Sequence, residues 1–232
     1  MRRIVFLILL LIPTLCFGQG ATRHGSSLNV GVGAVVCPLV SNDTQNISFE
    51  IWYFWRSTSN IELLFSNGTG AAGYGLYIND GSGLAGDKLT LLIGGITYNG
   101  LTSSYTLKPF KWYHLCITRD NINWILYVNG DSVATGTTNP SVPVSSTSMY
   151  PESGVIDEVR LYRRTLSPTE VAWNYRHPDQ PYSRDSLKLW LQFNEFTGTT
   201  TADSSGNGNN GTISGATWSI ETPIWGASCL KP

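Results

Sequence analysis

The chain has 232 residues, a formal net charge of −1 and only 13% charged residues. It contains no run of Lys or Arg, so it lacks the concentrated positive charge that a phosphate backbone requires, and nucleic acid is excluded as an expected partner. Its 24 Gly residues and 12% aromatic content fit many short strands joined by tight turns.

Residues 1–18 read as a cleaved secretory signal. "MRR" supplies the positive start, "IVFLILLLIPTL" the apolar run, and Gly18 a small residue before Gln19. The run is too short for a membrane span. A lipoprotein anchor at Cys16 is the weaker alternative, because bulky Leu15 stands where that processing wants a small side chain. The remainder, 19–232, suits one large β domain. Removal of the signal leaves Cys37, Cys116 and Cys229. Cys116 reads as a buried apolar residue, and a Cys37–Cys229 disulfide is the expected pairing if one forms.

Along the mature chain, "SLNVG" and "AVVCPLV" are short strand signals. In "NISFEIWYFW", Ile47, Phe49, Ile51, Tyr53 and Trp55 share one face, while Trp52 and Phe54 make the other face half apolar. "IELLFSN", "YGLYIND", "DKLTLLIGG" and "ITYNG" follow, each bounded by Gly, Asn or Asp. "KWYHLCITRD" and "NWILYVNGDSVATG" read as antiparallel neighbours, with Asn129–Gly130 as a two-residue hairpin turn. "TTNPSVPVSSTSMYPESG" reads as a crossing loop. "VIDEVRLYRRTL" alternates as a strand, which puts Asp157 and Glu158 on opposite faces. "SPTE" is a capping box, with Ser167 at the N-cap, Pro168 at N1 and Glu170 at N3, so one short helix is expected near 167–176. "LKLWLQFNE" is a further strand with Leu187, Leu189, Leu191 and Phe193 on one face. The pattern predicts an all-β, two-sheet antiparallel jelly-roll sandwich.

"NISFEIWYFW", "FKWYHLCITRD", "WILYVNGDSVATG" and above all "GVIDEVRLYRRTLSPTEVAWNY" together resemble the laminin-G-like members of the concanavalin A-like lectin/glucanase superfamily. In such domains, "LKLWLQFNEFTGTTTADSSGNGNNGTISGATW" would be the first strand and loop. Here it comes last, so 184–220 is expected either to fold back into its own domain, as in a circular permutation, or to enter a neighbouring subunit. The resemblance implies a secreted, non-catalytic module that binds a glycan or a cell-surface partner in adhesion. The alternative is a self-assembling extracellular subunit linked by strand exchange, and a glycan-active enzyme is a distant third. Asp157 and Glu158 on opposite faces of a strand cannot form the paired carboxylates of glycoside hydrolysis.

The resemblance also implies calcium. "DSSGNGNNG" offers Asp203, Asn207, Asn209 and Asn210 as oxygen donors, although Asp203 can instead cap its own turn. "NDGSGLAGD", with Asp80 and Asp87, is a second candidate loop. For stacking against sugar rings, Tyr74, Tyr77 and Tyr98 in Gly-rich hairpins are the expected exposed aromatics, whereas Trp52, Trp112 and Trp124 read as core. His24, His114 and His177 form no catalytic or zinc grouping.

Overall fold

The computed structural model describes residues 25–31, 33–38, 46–56, 62–67, 73–78, 87–93, 99–137, 147–151 and 154–223. The signal segment, His24, Asp80, Tyr98 and Cys229 lie outside these residues. The chain runs β1 Ser27–Asn29, β2 Ala34–Cys37, β3 Asn46–Trp55, β4 Glu62–Ser66, β5 Tyr74–Ile78 and β6 Lys88–Ile93. It continues through β7 Asn99–Thr106, β8 Lys111–Asp120, β9 Asn123–Val128, β10 Asp131–Thr137, β11 Thr147–Pro151 and β12 Val155–Tyr162. Helix α1 spans Pro168–Arg176, and β13 Leu187–Leu191, β14 Thr200–Thr201, β15 Gly211–Ser214 and β16 Thr217–Ser219 close the chain.

These strands form two antiparallel sheets. The first is ordered β10-β9-β8-β3-β12-β1-β16, with β13 also on β12, and the second β14-β15-β2-β11-β4-β5-β6-β7. Alternation along each strand sends one set of side chains between the sheets. Ile47, Phe49, Ile51, Tyr53 and Trp55 of β3 enter that core as the sequence predicts, with Leu115, Ile117, Leu126, Val159 and Leu161 beside them and Leu76, Leu89 and Leu91 from the opposite sheet. The sandwich is therefore the jelly-roll architecture expected from the sequence.

Local chemistry accounts for the turns and the helix. Asn129 and Gly130 both take positive φ, 52° and 81°, as the two central positions of a type I′ turn demand. Ser167 accepts from the Glu170 N–H, and the Glu170 carboxylate accepts from the Ser167 N–H, which completes the capping box. Val171 and Asn174 of α1 are buried against the outer face of the first sheet.

Three local expectations are corrected. Residues 147–151 of the presumed crossing loop form β11, which bridges β2 and β4. The strand signalled by "ITYNG" is, among the described residues, β7 at Asn99–Thr106, which starts within that stretch and runs further along the chain. In β12 a bulge between Asp157 and Arg160, with Glu158 at φ 48°, breaks the alternation against β3. Asp157, Glu158 and Arg160 consequently lie on the outer side of the sheet together, not on opposite faces.

The C-terminal segment pairs within its own chain. β13 adds to β12, β15 to β2 and β16 to β1, so residues 187–219 contribute to both sheets. Leu189, Leu191 and Phe193 enter the inter-sheet core. Leu187, displaced by a register shift opposite Leu161 and Tyr162, packs instead in the cluster beneath α1. No helix among the described residues is long and apolar enough to cross a membrane.

Candidate functional site

The two outer faces of the sandwich differ. On the first sheet, α1 and the segment after it cover a buried polar cluster. Glu50 Oε2 accepts from Asn174 Nδ2 at 2.9 Å, and His114 Nε2 stands 3.5 Å from Glu50 Oε1. Glu158 Oε2 accepts from Arg160 Nη2 at 3.0 Å and from Trp190 Nε1 at 2.6 Å. Burial pushes the Glu158 carboxyl up to about 7, against the opposing pull of Arg160 and the Trp190 hydrogen bond. Burial also raises Asp157, helped by the neighbouring Glu158 charge. Asp157 and Glu158 are 1% and 4% exposed, so no substrate reaches these carboxyls in this conformation. The bulge brings the two carboxyls onto one side, where Glu158 is held by Arg160 and the Trp190 indole.

On the second sheet, Tyr74, Leu76 and Ile78 of β5 point into the core, so Gly75 and Tyr77 point outward. Tyr77 is half-buried and sits opposite Leu63 on β4 and Thr90 on β6, with Thr102 of β7 opposite Thr90 in turn. The Thr90 and Thr102 hydroxyls are 3.4 Å apart. A Cβ added at Gly75 would lie 2.7 Å from Tyr77 Cε2, so the ring leans along the sheet over a residue that has no side chain. The result is a partly exposed Tyr77 ring with Thr90 buried beside it and the exposed Thr102 one strand further on, on a face that α1 does not cover. A pyranose has an apolar C–H face and a rim of hydroxyls, and this arrangement offers contacts for both.

The other expected site residues fall elsewhere. Tyr74 is 2% exposed, with its ring centroid 5.7 Å from Phe65 and 5.4 Å from Trp124, so it packs the core and cannot stack on a ligand. Tyr74 and Tyr77 are three positions apart on one strand and necessarily face opposite ways. Trp52 and Trp124 are buried as expected, but Trp112 is only half-buried on the outer face of the first sheet. His114 is buried, and His177 stacks on Trp173 at 3.8 Å.

In the loop between β14 and β15, Asp203 Oδ1 accepts from the Trp190 and Ser205 amides and Oδ2 from the Asn209 amide, each at 2.9 Å. Asn210 Oδ1 accepts from Asp203 N, while the Asn207 and Asn209 side chains donate to the Leu187 and Lys188 carbonyls. The sole carboxylate of the loop is thus turned onto backbone amides, the geometry of a self-capping turn that ties the loop to β13. Among the described residues, no group of three or more His, Cys, Asp or Glu is placed to hold a metal. This arrangement does not fit a calcium cage, which needs carboxylate oxygens turned toward the ion. Cys37 is a buried residue of the inter-sheet core, its thiol pushed up to about 12 mainly by burial, and Cys229, its expected partner, lies outside the described residues.

A lectin-like jelly-roll sandwich with a partly exposed aromatic face defines the class. Within it, residues 30–172, more than half of the chain, match the Laminin_G_3 model of the concanavalin A-like lectin/glucanases superfamily, and the chain belongs to that family. No curated protein matches the sequence. Among solved structures, a "putative carbohydrate binding protein" from Bacteroides ovatus ATCC 8483 superposes with TM-score 0.72 at 19% identity. The match covers 88% of this chain and 62% of that one, so this chain spans about three fifths of that protein's length. The binding domain of botulinum neurotoxin serotype D gives TM-score 0.53 at 15% identity, covering 66% of this chain and 42% of the other. A Trypanosoma rangeli sialidase gives 0.50 at 16% identity, covering 67% and 28%. At these identities the likeness is one of fold.

Proposed function

We propose that the protein is a secreted, non-catalytic carbohydrate-binding module that attaches to glycans through the Tyr77 face of its second sheet. The observation that carries this reading is the half-buried Tyr77 ring lying over Gly75, with the exposed Thr102 on the same face of the sheet that no described helix covers. Membership of a lectin/glucanase superfamily and the likeness to the Bacteroides ovatus protein support it. Burial of Asp157 and Glu158 favours binding over hydrolysis, because an acid–base pair must reach the glycosidic oxygen. The amino-terminal signal features support secretion.

The test is a glycan array followed by titration of the hits, run with and without chelator. Tyr77→Ala should weaken binding at least tenfold, about 1.4 kcal/mol, without lowering Tm. Unchanged affinity in that variant would remove Tyr77 from the site. Silence of the whole array in both conditions would remove the carbohydrate reading. Loss of binding in chelator alone would add a metal requirement that the Asp203 loop does not account for.

A further inference from the structure

We infer that the protein has a second saccharide-binding surface, on the sheet opposite Tyr77, formed by Phe54, Arg56, Phe110 and Trp112 and suited to neutral oligosaccharides. The inference rests on the carbohydrate reading above and extends it to two sites per molecule.

Strands β3 and β8 pair without interruption from Asn46↔Asp120 to Trp55↔Lys111. Since Ile51, Tyr53 and Trp55 point inward, Trp52 and Phe54 point outward, beside His114 and Trp112. The first of these outward pairs lies under α1, where Tyr175 stacks on Trp52 at 5.7 Å and 23°. One pair further along, Phe54 and Trp112 emerge half-buried, with ring centroids 5.6 Å apart at 53°.

Phe110 extends the ladder, donating its N–H to the Trp55 carbonyl at 2.6 Å. Its φ is 61° and its side chain is 70% exposed. A left-handed backbone at a residue with a Cβ costs on the order of 1 kcal/mol, and glycine would adopt it freely. A buried Phe could offset that cost through packing; this one presents its ring to solvent. Strain and an exposed large apolar group coincide here, as they also do at Phe196 (φ 60°, 56% exposed), but Phe110 stands two residues before Trp112, at the end of the sheet where the half-buried Phe54–Trp112 pair emerges.

The polar part of the surface points to sugar. The Arg56 guanidinium lies 5.7 Å from the Phe54 centroid and pairs with Glu221, the two side chains being 31% and 51% exposed. Each ion fixes the other, so the pair presents N–H donors and carboxylate acceptors at the edge of an aromatic surface. Vicinal hydroxyls can use both, while a pyranose C–H face covers the rings. Because the two charges cancel, the surface suits neutral sugars better than uronic or sialic acids.

The two surfaces lie on opposite outer faces of the sandwich, so one short oligosaccharide cannot reach both. The module would then bridge two glycan chains, gaining avidity on a dense polysaccharide and cross-linking it.

The mature protein is titrated with cello-, malto-, xylo-, laminari- and mannohexaose by calorimetry. For a hexasaccharide that binds, two sites per chain are expected in the wild type and one in Phe110→Ala, with the Tyr77 site intact. Tyr77→Ala should likewise leave one site, and the double variant none. Phe110→Gly, which relieves the backbone, should lose the same site while Tm is not lowered, separating binding from folding. A wild-type stoichiometry of one, with Phe110→Ala binding as the wild type does, would overturn the second surface and leave the Tyr77 reading standing. Binding lost in Phe110→Ala and untouched in Tyr77→Ala would support the second surface and remove the first. No heat with any hexasaccharide would overturn this inference, and the array then decides the carbohydrate reading separately.

Discussion

Glu158 combines a left-handed backbone, near-complete burial and two hydrogen-bond donors on a single carboxylate oxygen. Burial raises its carboxyl from the ordinary 4.5 to about 7, and Arg160 offsets only part of that rise. A folded-state value above the unfolded one means that the native protein holds a proton the unfolded chain has released. Stability is therefore full below about pH 4.5 and declines as pH rises toward 7, by on the order of 2–3 kcal/mol for this group alone. Asp157, raised by the same burial, acts in the same direction. Thermal melts from pH 4.5 to 8 should show Tm falling through this window. Glu158→Gln, which keeps an oxygen for Arg160 and Trp190 but cannot ionise, should flatten the fall. A wild-type profile that rises across the same window would contradict the assignment.

At the level of elements, α1 shows what the sequence makes legible and what it does not. "SPTE" announces the helix through its own backbone chemistry, so its start and cap follow from four residues; Ser167→Ala should cost about 1 kcal/mol in urea unfolding. The docking of α1 was not legible, because it depends on partners far along the chain. Asn174 Nδ2 donates to Glu50 on β3, and its Oδ1 accepts from Tyr182 N at 2.8 Å. Asn174→Ala should cost about 2–3 kcal/mol, more than the cap, since it leaves an oxygen of the wholly buried Glu50 without its hydrogen-bond donor. Equal losses in the two variants would show that the cluster contributes nothing special. The same contrast runs through the strands. β3 and β8 are legible from alternation, whereas β7 and β11 are rich in Ser and Thr and owe their pairing to neighbours rather than to their own hydrophobicity. The bulge in β12 leaves no sequence signature, and it is what overturned the facing of Asp157 and Glu158. In the candidate site, the glycine-rich hairpin around Tyr77 was legible, but separating Tyr77 from Tyr74 required the register. Phe110 is not legible in the stretch "KPFKW", because its strain and exposure are properties of its backbone position.

At the scale of the whole molecule, the question is which chain receives residues 184–220. The linker bears on it. Trp173 Nε1 donates to the Gln180 carbonyl at 3.1 Å, Arg163 N to the Ser186 carbonyl at 2.8 Å and Arg164 Nε to the Asp185 carbonyl at 2.9 Å. The linker is thus folded back on α1 and the end of β12 rather than extended. Delivery of β13 to a neighbour would strip these bonds without changing the pairing gained, and the tethered segment has the higher effective concentration. The segment is also indispensable. Leu189, Leu191, Phe193 and Ile213 are core residues, each contributing about 1.5–3 kcal/mol by burial, and their sum is comparable to the whole stability of a domain. Removing residues 184–232 should therefore leave a chain without a cooperative melt, and a separately supplied 184–223 peptide should restore it. By size exclusion with light scattering, the full-length protein should run as a monomer at micromolar concentration. A ladder of oligomers that disappears on truncation would instead assign the segment to the neighbour, and with it the assembly role; the slot on β12 would be the same, filled from another copy.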